Sequence, residues 1–148
     1  ETYARMHRWL EKFQSGAAAF AFAIIDKATN RHIGNITLCD ANVVLNGVDD
    51  GQPGWEHRTV IPGIMIGSKE FWGKGYGTEA QHIIIDYAFN HLGAHKIVHT
   101  PLADNIGSFK MAEKLGLRVE GILRKQDFID GKFRDVIMMG IFKEDYVR

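Results

Sequence analysis

The residues of this 148-residue chain best placed to do chemistry are glycines. Gly73, Gly75 and Gly77 alternate with Lys74 and Tyr76, and a strongly helical run follows from Thr78. Glycine loses more backbone freedom on folding than any other residue. Three at alternate positions mean that something approaches the main chain rather than the side chains. The first N–H groups of a helix have no partner within it and carry the positive end of its dipole. Glycines in front of them let a bulky anion come close, and Lys74 adds a cation. Gly73–Thr78 therefore reads as a phosphate or diphosphate cradle. The plainer reading is a tight strand-to-helix turn with no ligand. Two nucleotide loops fail on spacing. A P-loop needs GxxxxGK before Ser or Thr, whereas Gly73-Lys74 is followed by Gly75, and Ser68 stands five positions before Gly73. A GxGxxG fingerprint opens a first βαβ unit. Here its third glycine falls on Thr78, and three strands precede the loop.

Other residues deserve weighing. Asn105 and Ser108 share one side of the first turn of a later helix, where Asn105 is also a natural N-cap. His91 and His95 are four apart but straddle Gly93, so no metal site is expected. His99 shares a strand face with Ile97 and reads as a core or groove-lining residue. Lys114, Arg118, Arg124 and Lys125 read as solvated surface charge, with contact to a ligand phosphate as the alternative. Trp9, Trp55 and Trp72 are too scattered for a base-stacking platform.

These residues need elements to position them. Tyr3, Met6, Leu10 and Phe13 recur at helical spacing over Thr2–Phe13. Ala19–Asp26 and His32–Cys39 read as a hairpin. Asp40–Glu56 is a long loop without a period, the kind that is usually functional or mobile. Val60–Ile66 is a strand interrupted by Pro62 and Gly63. Ala80, Ile83, Ile84, Tyr87 and Ala88 form one helical stripe ending at Gly93. Lys96–Thr100 is a strand. Asp104-Asn105 opens a helix that Gly116 stops. Arg118–Ile129 and Lys132–Phe142 form a hairpin around Asp130-Gly131. The order predicts one α/β domain with a mixed sheet over residues 1–148.

Three segments taken together resemble a known family. They are GIMIGSKEFWGKGYGTEA, DNIGSFKMAEKLG and VEGILRKQDFIDGKFRDVIMMGIF. They are similar, in the same order, to the GCN5-related N-acetyltransferases, in the branch that acetylates protein N-termini, including those of ribosomal proteins, and also polyamines and some drugs. The resemblance covers about residues 2–145. Trp72 stands where the loop motif often has Gln or Arg. The resemblance implies a mixed, mostly antiparallel sheet with a splayed central strand pair and flanking helices. It implies that acetyl-CoA lays its pyrophosphate on Gly73, Lys74, Gly75, Tyr76, Gly77 and Thr78. The pantetheine arm would lie between Gly63–Gly67 and Lys96–Thr100, and Pro101 suits an open ladder there. The N–H of Ile66 or Gly67 would hold the thioester oxygen. Asn105 would bond the pantetheine arm, and Ser108 would hand a proton toward the departing sulfur. Asp127 is the first candidate for the proton acceptor, although a solvated strand aspartate reads equally well. Glu56 and His57 come second. Relatives often carry a glutamate before the glycine of the strand ahead of the loop; here that stretch is Val60-Ile61-Pro62-Gly63.

The family fold usually begins with a further strand and helix ahead of Thr2. Their lack predicts a shortened chain, or a sheet edge supplied by a partner, and so a homodimer. Eighteen basic residues balance eighteen acidic ones, which argues against a global attraction to nucleic acid or membrane. No apolar run approaches the ~18 residues of a membrane span. The single Cys39 allows no internal disulfide, which favours the cytoplasm. Cys39 reads as core, with no acyl-cysteine intermediate. The expected function is direct transfer of acetyl from acetyl-CoA to a primary amine, with no metal. The acceptor is a small molecule or a protein N-terminus. The alternatives are a coenzyme-A-binding sensor or scaffold without turnover and, more remotely, a nucleotide-binding regulatory domain.

Overall fold

The computed structural model describes residues 20–41 and 58–147. The helix expected over Thr2–Phe13, the interior of the long loop, and Glu56 and His57 lie outside the described residues. The apolar run FAFAIID forms β1 (Phe20–Asp26), which turns into β2 (Arg31–Asp40). Then come β3 (Thr59–Ile66), α1 (Tyr76–Asn90), β4 (Lys96–His99), α2 (Ile106–Lys114), β5 (Arg118–Ile129) and β6 (Lys132–Phe142). Six strands make one sheet in the order β1-β2-β3-β4-β6-β5. All pairings are antiparallel except β3 with β4. The mixed, mostly antiparallel sheet matches the expectation.

The buried face of α1 is turned from the expected stripe: Ile84, Ile85, Ala88 and Phe89 are buried in one cluster with Leu38, Val60, Ile97 and Met139 of the sheet, whereas Ile83 and Tyr87 of the stripe are exposed. Ala112 and Leu115 of α2 join the same cluster. Both helices end on glycines in the left-handed region, Gly93 at φ 71° and Gly116 at φ 87°. There the N–H of Ala94 reaches the Ala88 carbonyl and that of Leu117 reaches Ala112, each at 3.0 Å. These bonds satisfy carbonyls that each helix end leaves open.

The sheet splits at its centre. β3 and β4 pair only at Thr59–Lys96 and Val60–Ile97. Beyond that point β3 stays with β2 as far as Ile66, and β4 stays with β6. Along an antiparallel ladder, alternate residues direct their N–H and C=O to opposite sides. Gly67 donates its N–H to the Ile33 carbonyl at 2.9 Å, while Ile66, Ile64 and Pro62 lie opposite Gly34, Ile36 and Leu38. The alternation turns the main-chain groups of Pro62, Ile64 and Ile66 away from β2 and into the gap. Pro62 therefore stands where β3 needs no N–H. This corrects the reading of Pro62 and Gly63 as an interruption: β3 runs through both. Pro101 lies just past β4, and its carbonyl accepts the Ile137 N–H at 2.9 Å.

Candidate functional site

The turn from β3 to α1 is held by the side chains that flank its glycines. The Trp72 indole donates to the Ile66 carbonyl at 2.8 Å. Phe71 is buried and meets the Tyr76 ring edge-on, with centroids 5.5 Å apart. The Tyr76 hydroxyl donates to Asp26 Oδ1 at 2.9 Å. Hydrogen bonds from Thr29 and Tyr76 hold the Asp26 carboxyl below the usual carboxylate range, and the same bond to Asp26 raises the Tyr76 hydroxyl. Between these anchors Gly73 and Gly75 take φ of 71° and 91°. No atom lies within 4 Å of where a Cβ would stand at either. Their glycine is set by conformation, and the space beyond them is open. Gly77 differs. A Cβ there would meet Met111 Sδ at 3.6 Å and Ile64 Cδ1 at 3.8 Å, ordinary packing between α1, α2 and β3.

A groove of about 590 Å³ runs from this turn to α2. Ile64, Ile66, Gly73, Gly75, Gly77 and Thr78 line one side of it. Ser108, Lys110, Met111 and Lys114 line the other. Of the residues expected at the site, Ile66, Gly73, Gly75, Gly77, Thr78 and Ser108 meet here. The rest do not line the groove. The Gly67 N–H is spent on Ile33, which leaves Ile66 as the main-chain donor facing the gap. Lys74 lies over the Phe71 ring, 5.8 Å from its centroid. The Tyr76 side chain is turned to Asp26. Asn105 caps α2, its Oδ1 accepting the Ser108 N–H at 3.1 Å. Asp127 lies across the β5–β6 ladder from Arg134, close to the hairpin turn. Arg134 in turn pairs with Asp104.

Two features were missed or set aside in the sequence. Lys110 and Lys114 are one turn apart and share the face that carries Gly107 and Met111, so helical spacing along this segment was the available signal. With the start of α1 opposite, and no carboxylate among the described lining residues, they make the groove favourable to an anion. The second is His99. Its Nε2 lies 2.8 Å from Ser108 Oγ. Burial lowers the His99 pKa, opposed by a hydrogen bond to the Pro62 carbonyl. The described residues contain no group of three or more His, Cys, Asp or Glu placed to hold a metal.

An opened strand pair beside a glycine turn at a helix N-terminus is the class of site that suits an elongated anion. Comparison with known proteins gives that class a family. The family model for the acetyltransferase (GNAT) domain matches residues 1–118. A Bacillus subtilis protein described as "Probable N-acetyltransferase YjcK" is 40% identical over 126 residues, 85% of this chain and 63% of its own length. The spermidine N(1)-acetyltransferase of Escherichia coli K12 is 36% identical over 91 residues, 62% of this chain and 48% of that protein. A solved chimera of the Vibrio cholerae spermidine N-acetyltransferase SpeG and hSSAT superposes with a TM-score of 0.75 at 25% identity. It covers 100% of this chain and 80% of its own. The chain belongs to the GNAT acetyltransferase family. It spans less than two thirds of the length of the curated relatives named here.

Proposed function

We propose that the chain is an N-acetyltransferase that moves an acetyl group from acetyl-CoA to a primary amine by direct attack within a ternary complex. The observation that carries this is the continuity of the groove. It joins the gap-facing edge of β3, the glycine turn and the first turns of α2 in one channel. A diphosphate suits the main chain of Gly73–Thr78, where the space beside Gly73 and Gly75 is open and the helix dipole is positive. Lys110 and Lys114 add charge for the phosphates. The pantetheine arm lies along Ile64 and Ile66, and the Ile66 N–H polarises the thioester oxygen. Ser108 Oγ stands in the opposite wall, placed to exchange a proton at the reacting centre. Alignment of the two reactants alone is worth on the order of 7–11 kcal/mol in favourable cases.

The acceptor class follows the relatives: a polyamine, as in the spermidine acetyltransferases, or a protein N-terminus. A second reading has one observation behind it. Among the described residues no carboxylate lines the groove, which suits a coenzyme-A-binding module without turnover. Release of free thiol from acetyl-CoA, followed with a thiol reagent across a panel of amines, separates the two. The enzyme reading expects amine-dependent turnover. Binding of acetyl-CoA without thiol release favours the module.

A further inference from the structure

An amine that attacks a thioester must lose a proton, and the departing thiolate must gain one. Among the described residues the groove walls offer no carboxylate to accept it, and Asp127 lies by the hairpin turn. The one imidazole in direct contact with a groove residue, among the described contacts, is His99. It stands at the last position of β4, where the strand pair has already parted. Its Nε2 meets Ser108 Oγ at 2.8 Å. In the tautomer that leaves the lone pair on Nε2, the Ser108 hydroxyl donates to it. Ser108 also lines the groove.

We propose that His99 is the positioning residue behind Ser108, and that the two form a proton-accepting pair for the transfer reaction. As the C–N bond forms, the amine proton passes to Ser108 Oγ while the Ser108 proton moves to His99 Nε2. As the C–S bond breaks, the imidazolium returns a proton through the same hydroxyl to the thiolate. Amine and thioester become amide and thiol, and His99 ends as it began. A pair of this kind needs an unprotonated imidazole before each turnover, and the surroundings supply one. Pro62 from β3, Gln81 and Ile85 from α1, Met111 and Leu115 from α2 enclose the cavity beside the ring. Across the β4–β6 ladder His99 faces Met139. None of these side chains titrates or carries a charge, and burial favours the neutral ring.

This inference rests on the acetyl-transfer reading, and the test keeps the two apart. Thiol release is measured at saturating acetyl-CoA and spermidine from pH 5 to 9 for the wild type, His99→Gln, Ser108→Ala and the double variant. Glutamine keeps an acceptor for the Ser108 hydroxyl but takes up no proton. We expect kcat of His99→Gln to fall roughly 10²-fold, the low end of general acid–base effects. KM for acetyl-CoA should change less than about threefold, since uniform binding is untouched. The acid limb of the wild-type kcat profile should vanish in His99→Gln and in Ser108→Ala. The double variant should be no slower than the slower single one, because the two act as a unit. Should His99→Gln fail to fold by its melting curve, Ser108→Ala carries the same test, since it cuts His99 off from the groove. A variant that turns over with its acid limb intact overturns the pair and leaves the acetyltransferase reading standing. A wild type that releases no thiol with any amine overturns both.

Discussion

At the scale of single residues, one hydrogen bond anchors the functional turn. Tyr76 ties the start of α1 to Asp26 at the end of β1. The Asp26 carboxyl is held below its ordinary 3.8 and the Tyr76 hydroxyl above its ordinary 10.0. The sign of each effect sets a pH window. A lowered carboxylate stabilises the fold fully above its unfolded value and loses that as pH falls through its folded value. A raised tyrosine stabilises fully below its unfolded value and loses that as pH rises through its folded value. Tyr76→Phe should therefore melt below the wild type at neutral pH, and the difference should shrink toward both extremes. Thermal melts from pH 3 to 11 check this; a difference independent of pH would contradict it. His99 has a sign of its own. Its pKa lies below the ordinary 6.5, so in between the unfolded chain binds a proton that the folded chain does not. Stability should drop on acidification through that range, and His99→Gln should flatten the slope.

The elements show how much of the site was legible in advance. The hairpin over β5 and β6 was read to the residue, because Asp130-Gly131 is a strong turn signal between two alternating runs. Gly93 and Gly116 gave the helix ends for the same kind of local reason. The glycine turn was legible because a left-handed φ leaves its mark on the sequence. What the sequence hid was non-local. Nothing near Trp72 says that its indole reaches the Ile66 carbonyl, and nothing near His99 says that Ser108 will face it. Those contacts exist only once β3, β4 and α2 are assembled. Pro62 carried the sign of the open strand pair, but it was read as a break because the pairing partner of its face was unknown. At this scale the turn makes its own prediction. Gly75→Ala forces a Cβ into φ 91°, a strain of about 1–2 kcal/mol. The melting temperature should fall by a few degrees, and KM for acetyl-CoA should rise. Gly77→Ala meets only ordinary contacts at its Cβ and should melt closer to the wild type. Equal losses in the two variants would contradict this account of the turn.

At the scale of the whole molecule, neutrality in sum hides a local bias. Net charge is zero, yet the start of α1, Lys110 and Lys114 converge on one groove with no opposing carboxylate among its described lining residues. That arrangement favours a ligand with several negative charges over a neutral one. Among the described residues no helix is long and apolar enough to cross a membrane. β1 lies at one end of the sheet order, so the homodimer expected from the sequence remains a proposal, checked by light scattering at several concentrations. An assembly larger than the monomer is the expected outcome, and a strict monomer contradicts it.

The acetyl-transfer reading and the His99–Ser108 pair both depend on the groove taking the diphosphate of an acyl carrier on the main chain of Gly73–Thr78. Calorimetric titration of acetyl-CoA into the wild type and into a Gly75→Asp variant tests that most directly. The account predicts saturable binding at one site per chain, weakened about tenfold or more in the variant, where a carboxylate replaces open space before the helix start. Absence of heat with the wild type, or equal affinity in the two proteins, would contradict it.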